Sequence, residues 1–188
     1  MRRRLSGRRQ HGRRPVVTGV RASLRARRLL RRAHQLFERG RFRDAADEFL
    51  RLATGAEGLG LDRAPFLYLQ AGRARVLATD VNTGLSLLLQ GFKLLADSDA
   101  SGQLVPLGKR AVDELQRLGH LEHAQKLEAE LLTLAEPDAW QAVSAPAADR
   151  RLPAKCEFCG ANLFPEDLEL RGGVPICSYC GSPAATDD

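Results

Sequence analysis

All four cysteines of this 188-residue chain lie in two short motifs, and they constrain its fold more than any other feature. Cys156 and Cys159 form one C-x-x-C pair, Cys177 and Cys180 form a second, and seventeen residues separate the pairs. Two such turns can direct four thiolates at one centre, which is the tetrahedral ligand set that Zn²⁺ prefers. Because sulfur fills all four positions, we expect one structural zinc ion and no catalysis at the metal.

Three other uses of the four cysteines stay open. Two disulfides would suit a small secreted domain, but we expect no signal peptide here, and the cysteines occupy one short part of a larger chain. A thioredoxin-like redox pair needs a C-x-x-C at the start of a helix beside a βαβ unit, and neither pair has that setting. Iron in the same thiolate cage, as in rubredoxin-like electron carriers, is chemically compatible with these ligands.

A glycine follows each cysteine pair, at Gly160 and Gly181, where the chain leaving the turn needs a positive φ. These C-x-x-C-G motifs resemble the zinc-ribbon family, and the resemblance covers about residues 152–183. We predict two short strands between the pairs. The first spans 162–170, and the chain turns at Gly172 and Gly173 into the second at 174–176.

A pattern repeats three times before the cysteines. A turn residue is followed two positions later by an apolar residue, five later by a small one and nine later by a large one. The copies start at Gly40, Thr79 and Gly119, and the last position of the third copy is Glu128. Seven residues before the turns lie Ala33, Gly72 and Val112, where two helices can approach closely. The pattern predicts three stacked helical hairpins.

The turns lie 39 and 40 residues apart, and the pattern is similar to tetratricopeptide repeats over about residues 26–136. The period exceeds the family's length of about thirty-four residues. The resemblance implies a solenoid whose first helices line a binding groove, and a six-helix bundle is the alternative. We predict helices at 23–38, 41–54, 63–79, 81–96, 104–118 and 121–135. The fold class is mainly α, with antiparallel helical hairpins and a small β zinc-ribbon module.

Positive charge is concentrated at the start of the sequence. Residues 1–32 contain 13 arginines and no acidic residue, whereas the whole chain has a net charge of +6. We expect residues 1–20 to be a disordered tail, because glycine and proline interrupt any hydrophobic period. The candidate phosphate contacts in this tail are Arg2, Arg3, Arg4, Arg8, Arg9, Arg13 and Arg14. A solvated tail and a targeting leader are the alternatives, and an anionic membrane is another possible phosphate source.

These patterns divide the chain into five segments. We predict the tail at 1–20, a helical domain at 21–141, an Ala- and Pro-rich linker at 142–152, the zinc ribbon at 153–184 and a frayed terminus at 185–188. No apolar stretch approaches the ~18–20 residues that a membrane span needs. We therefore expect a protein of the reducing cytoplasm.

The sequence has no Walker A loop, no G-x-G-x-x-G and no H-E-x-x-H, so we expect no enzymatic activity and no small-molecule substrate. We expect instead an adaptor that holds a protein or peptide in the groove of the first helices. The predicted contacts, on exposed polar positions, are His34, Lys109, Asp113, Gln116 and Arg117. The alternative is a protein associated with RNA or DNA that uses the Arg-rich tail and the zinc ribbon.

Overall fold

The computed structural model describes residues 19–135, 140, 155–164, 168–171 and 174–184. Six helices follow in order: α1 Gly19–Glu38, α2 Phe42–Gly58, α3 Ala64–Leu77, α4 Val81–Ala96, α5 Leu104–Arg117 and α6 Leu121–Leu134. A 3₁₀ turn, Ser101–Gln103, leads into α5. Strands β1 Leu168–Arg171 and β2 Val174–Cys177 pair antiparallel, with Leu168 opposite Cys177. The protein is mainly helical, as predicted.

The described ends of all six helices lie within four residues of the predicted ends. The largest difference at a C-terminus is in α2, which continues to Gly58 past the predicted end at Thr54. Ala56 is buried within this extension, so packing outweighs the low helix propensity of its glycines. At the other end of the chain, α1 begins at Gly19, inside the segment predicted as tail.

The three turns of the repeated pattern share one backbone geometry. Gly40, Thr79 and Gly119 have φ values of 70°, 66° and 82°. In each turn this residue donates its N–H to the carbonyl three positions back, and the next residue donates to the carbonyl five positions back. This is the Schellman motif that ends helices. The repeated sequence pattern therefore encodes the same C-terminal capping motif for α1, α3 and α5.

The second hairpin depends on two glycines at the point where α3 crosses α4. A Cβ atom added to Gly72 would lie 2.8 Å from the carbonyl oxygen of Gly84, and one added to Gly84 would lie 2.9 Å from that of Gly72. Real Cβ atoms do not approach a backbone oxygen so closely, because interiors are already close-packed. The predicted close contact between small residues is confirmed in this hairpin.

The core runs through all three hairpins and into the cysteine module. Its largest fully buried side chains in the described part of the chain include Phe49, Phe66, Phe92, Leu95, Leu115, Leu127 and Leu131. Trp140 packs beside Gly108 of α5, at 3.2 Å from the position a Cβ would take there. No described helix is both long enough and apolar enough to cross a membrane.

Several predicted segments lie outside the described residues. These are the seven tail arginines, the linker at 142–152, the Gly172–Gly173 turn and the terminus at 185–188. Of the first strand predicted at 162–170, the structure describes an isolated bridge between Asn162 and Lys155 and a ladder that begins at Leu168, while residues 165–167 lie outside the described residues. The division of the chain into domains stays a prediction.

Candidate metal centre

The four cysteine sulfurs converge on one point. The Sγ atoms of Cys156 and Cys180 lie 3.6 Å apart, those of Cys159 and Cys177 lie 3.9 Å apart, and all four lie within 4.8 Å of one another. A tetrahedron with metal–sulfur bonds of ~2.3 Å has edges of about 3.8 Å, which matches these separations. A disulfide needs ~2.05 Å, and all four thiols are free. The predicted convergence is confirmed, and the identity of the metal stays a prediction.

Each cysteine pair sits on a tight turn with the same hydrogen bonds. Gly160 donates its N–H to the carbonyl of Cys156 at 2.7 Å, and Gly181 donates to that of Cys177 at 2.8 Å. Both glycines have positive φ, 76° and 70°, as predicted. The N–H of the first cysteine in each pair then bonds to the carbonyl of the residue five positions later. We call these turns knuckle 1 (residues 156–160) and knuckle 2 (residues 177–181).

The four thiols also change one another's acidity. Hydrogen bonds, first from Cys159 and then from Cys177, lower the pKa of Cys156 to about 6. Hydrogen bonding to Cys156 lowers the pKa of Cys180 as well, while contact with Cys156 raises the pKa of Cys159 and that of Cys177. The four thiols are therefore strongly coupled, and a divalent cation that bound all four sulfurs would displace their protons.

Knuckle 2 is anchored in the helical core by Tyr179. This side chain is only 3% exposed and packs edge-on against His34 of α1 and Phe66 of α3, with ring centroids 5.5 and 6.4 Å apart. Its hydroxyl accepts a 2.6 Å hydrogen bond from Nε2 of Gln70. The buried ring and its satisfied hydroxyl join the cysteine module to the first two hairpins.

His34 lies beneath this anchor and stays neutral. Burial lowers the pKa of its imidazole to about 4, against weaker raising effects from Glu38 and Cys180. Its ring also packs against Phe49 with centroids 5.0 Å apart. Within the described residues, its Nε2 atom has no hydrogen-bond partner. The prediction that His34 is exposed in a groove is therefore wrong, because the cysteine module covers it.

Knuckle 1 is held by α1. Nη2 of Arg31 donates to the carbonyls of Glu157 and Phe158 at 2.9 and 3.0 Å. The guanidinium of Arg27 lies over the Phe158 ring, 5.6 Å from its centroid. Four thiolates around one divalent ion carry a net charge of about −2. Arg31 and Arg27 therefore hold the knuckle in place, and their charges would oppose that of a bound metal–thiolate centre.

The remainder of the module contacts the third hairpin. Gln103 donates to the carbonyl of Leu168 at 3.0 Å, and the guanidinium of Arg110 lies 3.9 Å from the centroid of the Phe164 ring. The module thus lies across α1, α3 and the start of α5. This is the first-helix face, where the sequence predicted an open groove.

The other four predicted groove residues lie on α5, away from the side of that helix that faces α3. Asp113, Gln116 and Arg117 are exposed, and Lys109 lies 5.8 Å from the centre of the Trp140 ring. None of these four lines the cleft between α3 and α5, whose volume is about 60 Å³. The residues of α5 that line this cleft include Arg110 and Glu114, one helical turn apart, and Arg73 of α3 faces them. Partner binding by Lys109, Asp113, Gln116 and Arg117 stays a prediction.

Sequence reasoning missed the residues that fix the module to the helices, chiefly Arg31, Gln70 and Tyr179. One signal was present, because an aromatic residue precedes the second cysteine in both knuckles, Phe158 and Tyr179. The two aromatic residues differ in burial, because Phe158 is 44% exposed and Tyr179 is buried.

In comparisons with known proteins, no family model, no curated protein and no solved structure matches this chain.

Proposed function

We propose that this protein is a non-enzymatic, zinc-binding adaptor that holds a protein or peptide partner. The observation that carries the proposal is the set of four buried sulfurs within 4.8 Å of one another. A metal ion with four thiolate ligands has no open position for a substrate or an activated water. The centre is therefore suited to holding the chain in one conformation.

Zinc is the ion we propose, in a reducing cytoplasm that keeps the thiols free. Iron would occupy the same ligands and would give a coloured protein with redox activity. The role of the ion follows from the contacts around it. Tyr179 and Arg31 connect the two knuckles to the helices, so metal binding stabilises the packing of the module on the hairpins.

We infer that the hairpins are tetratricopeptide-like repeats. The shared turn geometry at Gly40, Thr79 and Gly119 and the glycine contact between α3 and α4 support this. The module covers the first-helix face at His34 and Gln70. The partner surface is therefore a composite of helices and knuckles, and differs from the open groove of a free solenoid.

A second candidate function is binding to RNA or DNA. One observation favours it, which is that α1 exposes Arg25, Arg28 and Arg32 within twenty residues of the Arg-rich sequence at 1–14. Neutralising several phosphates would make binding strongly salt-dependent, with a slope of ~0.9 per phosphate contacted on duplex DNA.

Metal analysis and partner capture together test the adaptor. The full chain should contain one zinc per molecule and retain a host protein that is lost when Cys177→Ser and Cys180→Ser are combined. Glu157→Gln is the matched control, because it alters an exposed position within knuckle 1 and leaves the sulfurs in place. Iron as the bound metal, or a partner retained equally by the double variant, would contradict the proposal.

The nucleic-acid alternative has its own test in the full-length chain. Replacing the seven arginines of residues 2–14 with glutamine should leave protein capture unchanged. If the protein instead binds RNA or DNA, the same replacement should lower its affinity for generic RNA or DNA and reduce the salt dependence of that binding.

A further inference from the structure

The first hairpin carries a second cleft, away from the one between α3 and α5. It lies between α1 and the C-terminal half of α2, and we call it the first-hairpin groove. Leu30, Leu52 and Leu67 contribute to its apolar floor, and Tyr179 and Cys180 of knuckle 2 also line it. Its volume is about 190 Å³. An engineered protein cavity of ~150 Å³ holds a benzene molecule, so the groove can take an apolar side chain.

The lip of the groove is unusually apolar for a surface. Leu59 is 68% exposed and Leu61 is 38% exposed, both in the connection between α2 and α3. Exposed leucines around a concave apolar floor are typical of a surface that a partner covers.

The rim of the groove is positively charged. Arg27, Arg51 and Arg63 line it, and no carboxylate occurs among its described lining residues. Arg51 has 78% of its side chain exposed, and its contact with Glu48 is 3.9 Å long. Three guanidinium groups around an apolar floor favour an occupant that combines leucine-like side chains with carboxylates. The Arg-rich start of the chain has the same charge as the rim and is disfavoured as the occupant.

The shape of the groove selects among anionic partners. A lipid surface is bound best by apolar side chains that protrude, whereas the floor at Leu30 and Leu52 is recessed. A nucleic acid would meet the arginines but would leave this floor unfilled. An amphipathic helix presents apolar side chains in a row with acidic residues on either side, and it satisfies both features.

We propose that the first-hairpin groove binds an acidic amphipathic segment of a partner protein. A leucine or phenylalanine of that segment enters the groove, and its Asp or Glu residues pair with Arg27, Arg51 and Arg63. This inference rests on the adaptor function proposed above and identifies the chemistry of the partner. Because Tyr179 and Cys180 line the groove, metal binding that orders knuckle 2 completes the site.

The chain offers a matched pair of variants for the test. A Cβ at Gly55, inside the groove, and one at Gly58, outside its lining, would both meet nothing within 4 Å. Gly55→Leu should therefore fill the groove without disturbing α2, and Gly58→Leu is the control. Circular dichroism and zinc content confirm that both variants fold and retain metal.

The probe is a fluorescein-labelled peptide of about sixteen residues, long enough for roughly four helical turns. It carries leucines along one face and glutamates on the others, and its binding to the zinc-loaded full chain is measured by fluorescence anisotropy. We expect Gly55→Leu to weaken binding about tenfold or more. Arg51→Glu combined with Arg63→Glu should weaken it similarly and reduce its salt dependence. Gly58→Leu should bind as the wild type does.

Several results would overturn the inference. These are equal binding by Gly55→Leu and wild type, equal binding of a peptide with scrambled leucines, and a lysine-for-glutamate peptide that binds as well. Anionic phospholipid vesicles, an oligonucleotide or a second copy of the chain competing for the groove, in a manner sensitive to Gly55→Leu, would replace the proposed occupant with another. If the host partner is lost with the cysteine double variant but the peptide does not bind, the groove inference fails and the adaptor function stands.

Discussion

The contact between Tyr179 and the helices offers the sharpest test of how the metal module is joined to the rest of the protein. Tyr179→Ala removes a ring that is 3% exposed and packed against His34 and Phe66. It leaves all four sulfurs in place. We expect zinc content to remain at one per chain and the helical hairpins to lose stability, because the core around His34 would open to water.

The size of the effect follows from what is removed. Truncation of a buried aromatic side chain to alanine costs ~3–5 kcal/mol of unfolding free energy. The lost hydrogen bond from Gln70 contributes about 1 kcal/mol of this total. With a urea m-value of about 2 kcal/mol/M for a domain of this size, a loss of about 4 kcal/mol moves the unfolding midpoint by about 2 M. Tyr179→Phe removes only the hydrogen bond, so its expected shift is about 0.5 M.

Urea unfolding of the zinc-loaded chain, followed by the far-ultraviolet dichroism of the helices, measures these shifts. Phe158→Ala is the matched control, because Phe158 occupies the equivalent position in knuckle 1 and is 44% exposed. It should move the midpoint by less than about 0.5 M. Equal midpoints for Tyr179→Ala and Phe158→Ala would refute the idea that knuckle 2 stabilises the helical hairpins.

Three further predictions concern the turns, the helix crossing and the metal. Thr79→Gly should stabilise the protein by about 1 kcal/mol in the same assay, because Thr79 has a φ of 66° that glycine adopts without strain; a loss of stability would contradict this. Gly72→Ala should destabilise by about 1–3 kcal/mol through contact with α4, whereas Gly55→Ala, in open space, should stabilise by about 0.5–1 kcal/mol. Zinc should be lost to a chromogenic chelator as pH falls from about 7.5 to about 5, because protons compete with the metal for all four sulfurs. Equal zinc retention at about pH 7.5 and pH 5 would oppose this reasoning.

The helices could be predicted from sequence because local signals mark both their faces and their ends. Gly40 and Gly119 end α1 and α5 with the positive φ that glycine favours. Thr79 could be assigned to the equivalent helix-ending position only by comparison with the other two copies of the pattern, since a β-branched residue disfavours positive φ. The two C-x-x-C-G motifs likewise carry their whole geometry within five residues each.

The position of the module on the helices could not be predicted, because it depends on contacts between residues distant in sequence. Phe158 and Tyr179 hold equivalent positions in similar knuckles, and local chemistry does not distinguish the buried one from the exposed one. The same docking explains the error at His34, which the resemblance to tetratricopeptide repeats placed in an open groove of the first helices. Periodicity reports which side of a helix is polar, but it does not report what covers that side.

The hydrogen bonds from Arg31 to knuckle 1 also bear on the order in which the protein matures. Arg31 and Glu157 are 126 residues apart in the chain. At a translation rate of ~5–20 residues per second, roughly 6–25 s pass between their syntheses. During that interval the first hairpin leaves the ribosome with the surface around His34 uncovered, so nascent chains are most vulnerable to misassociation before the cysteine module packs onto α1.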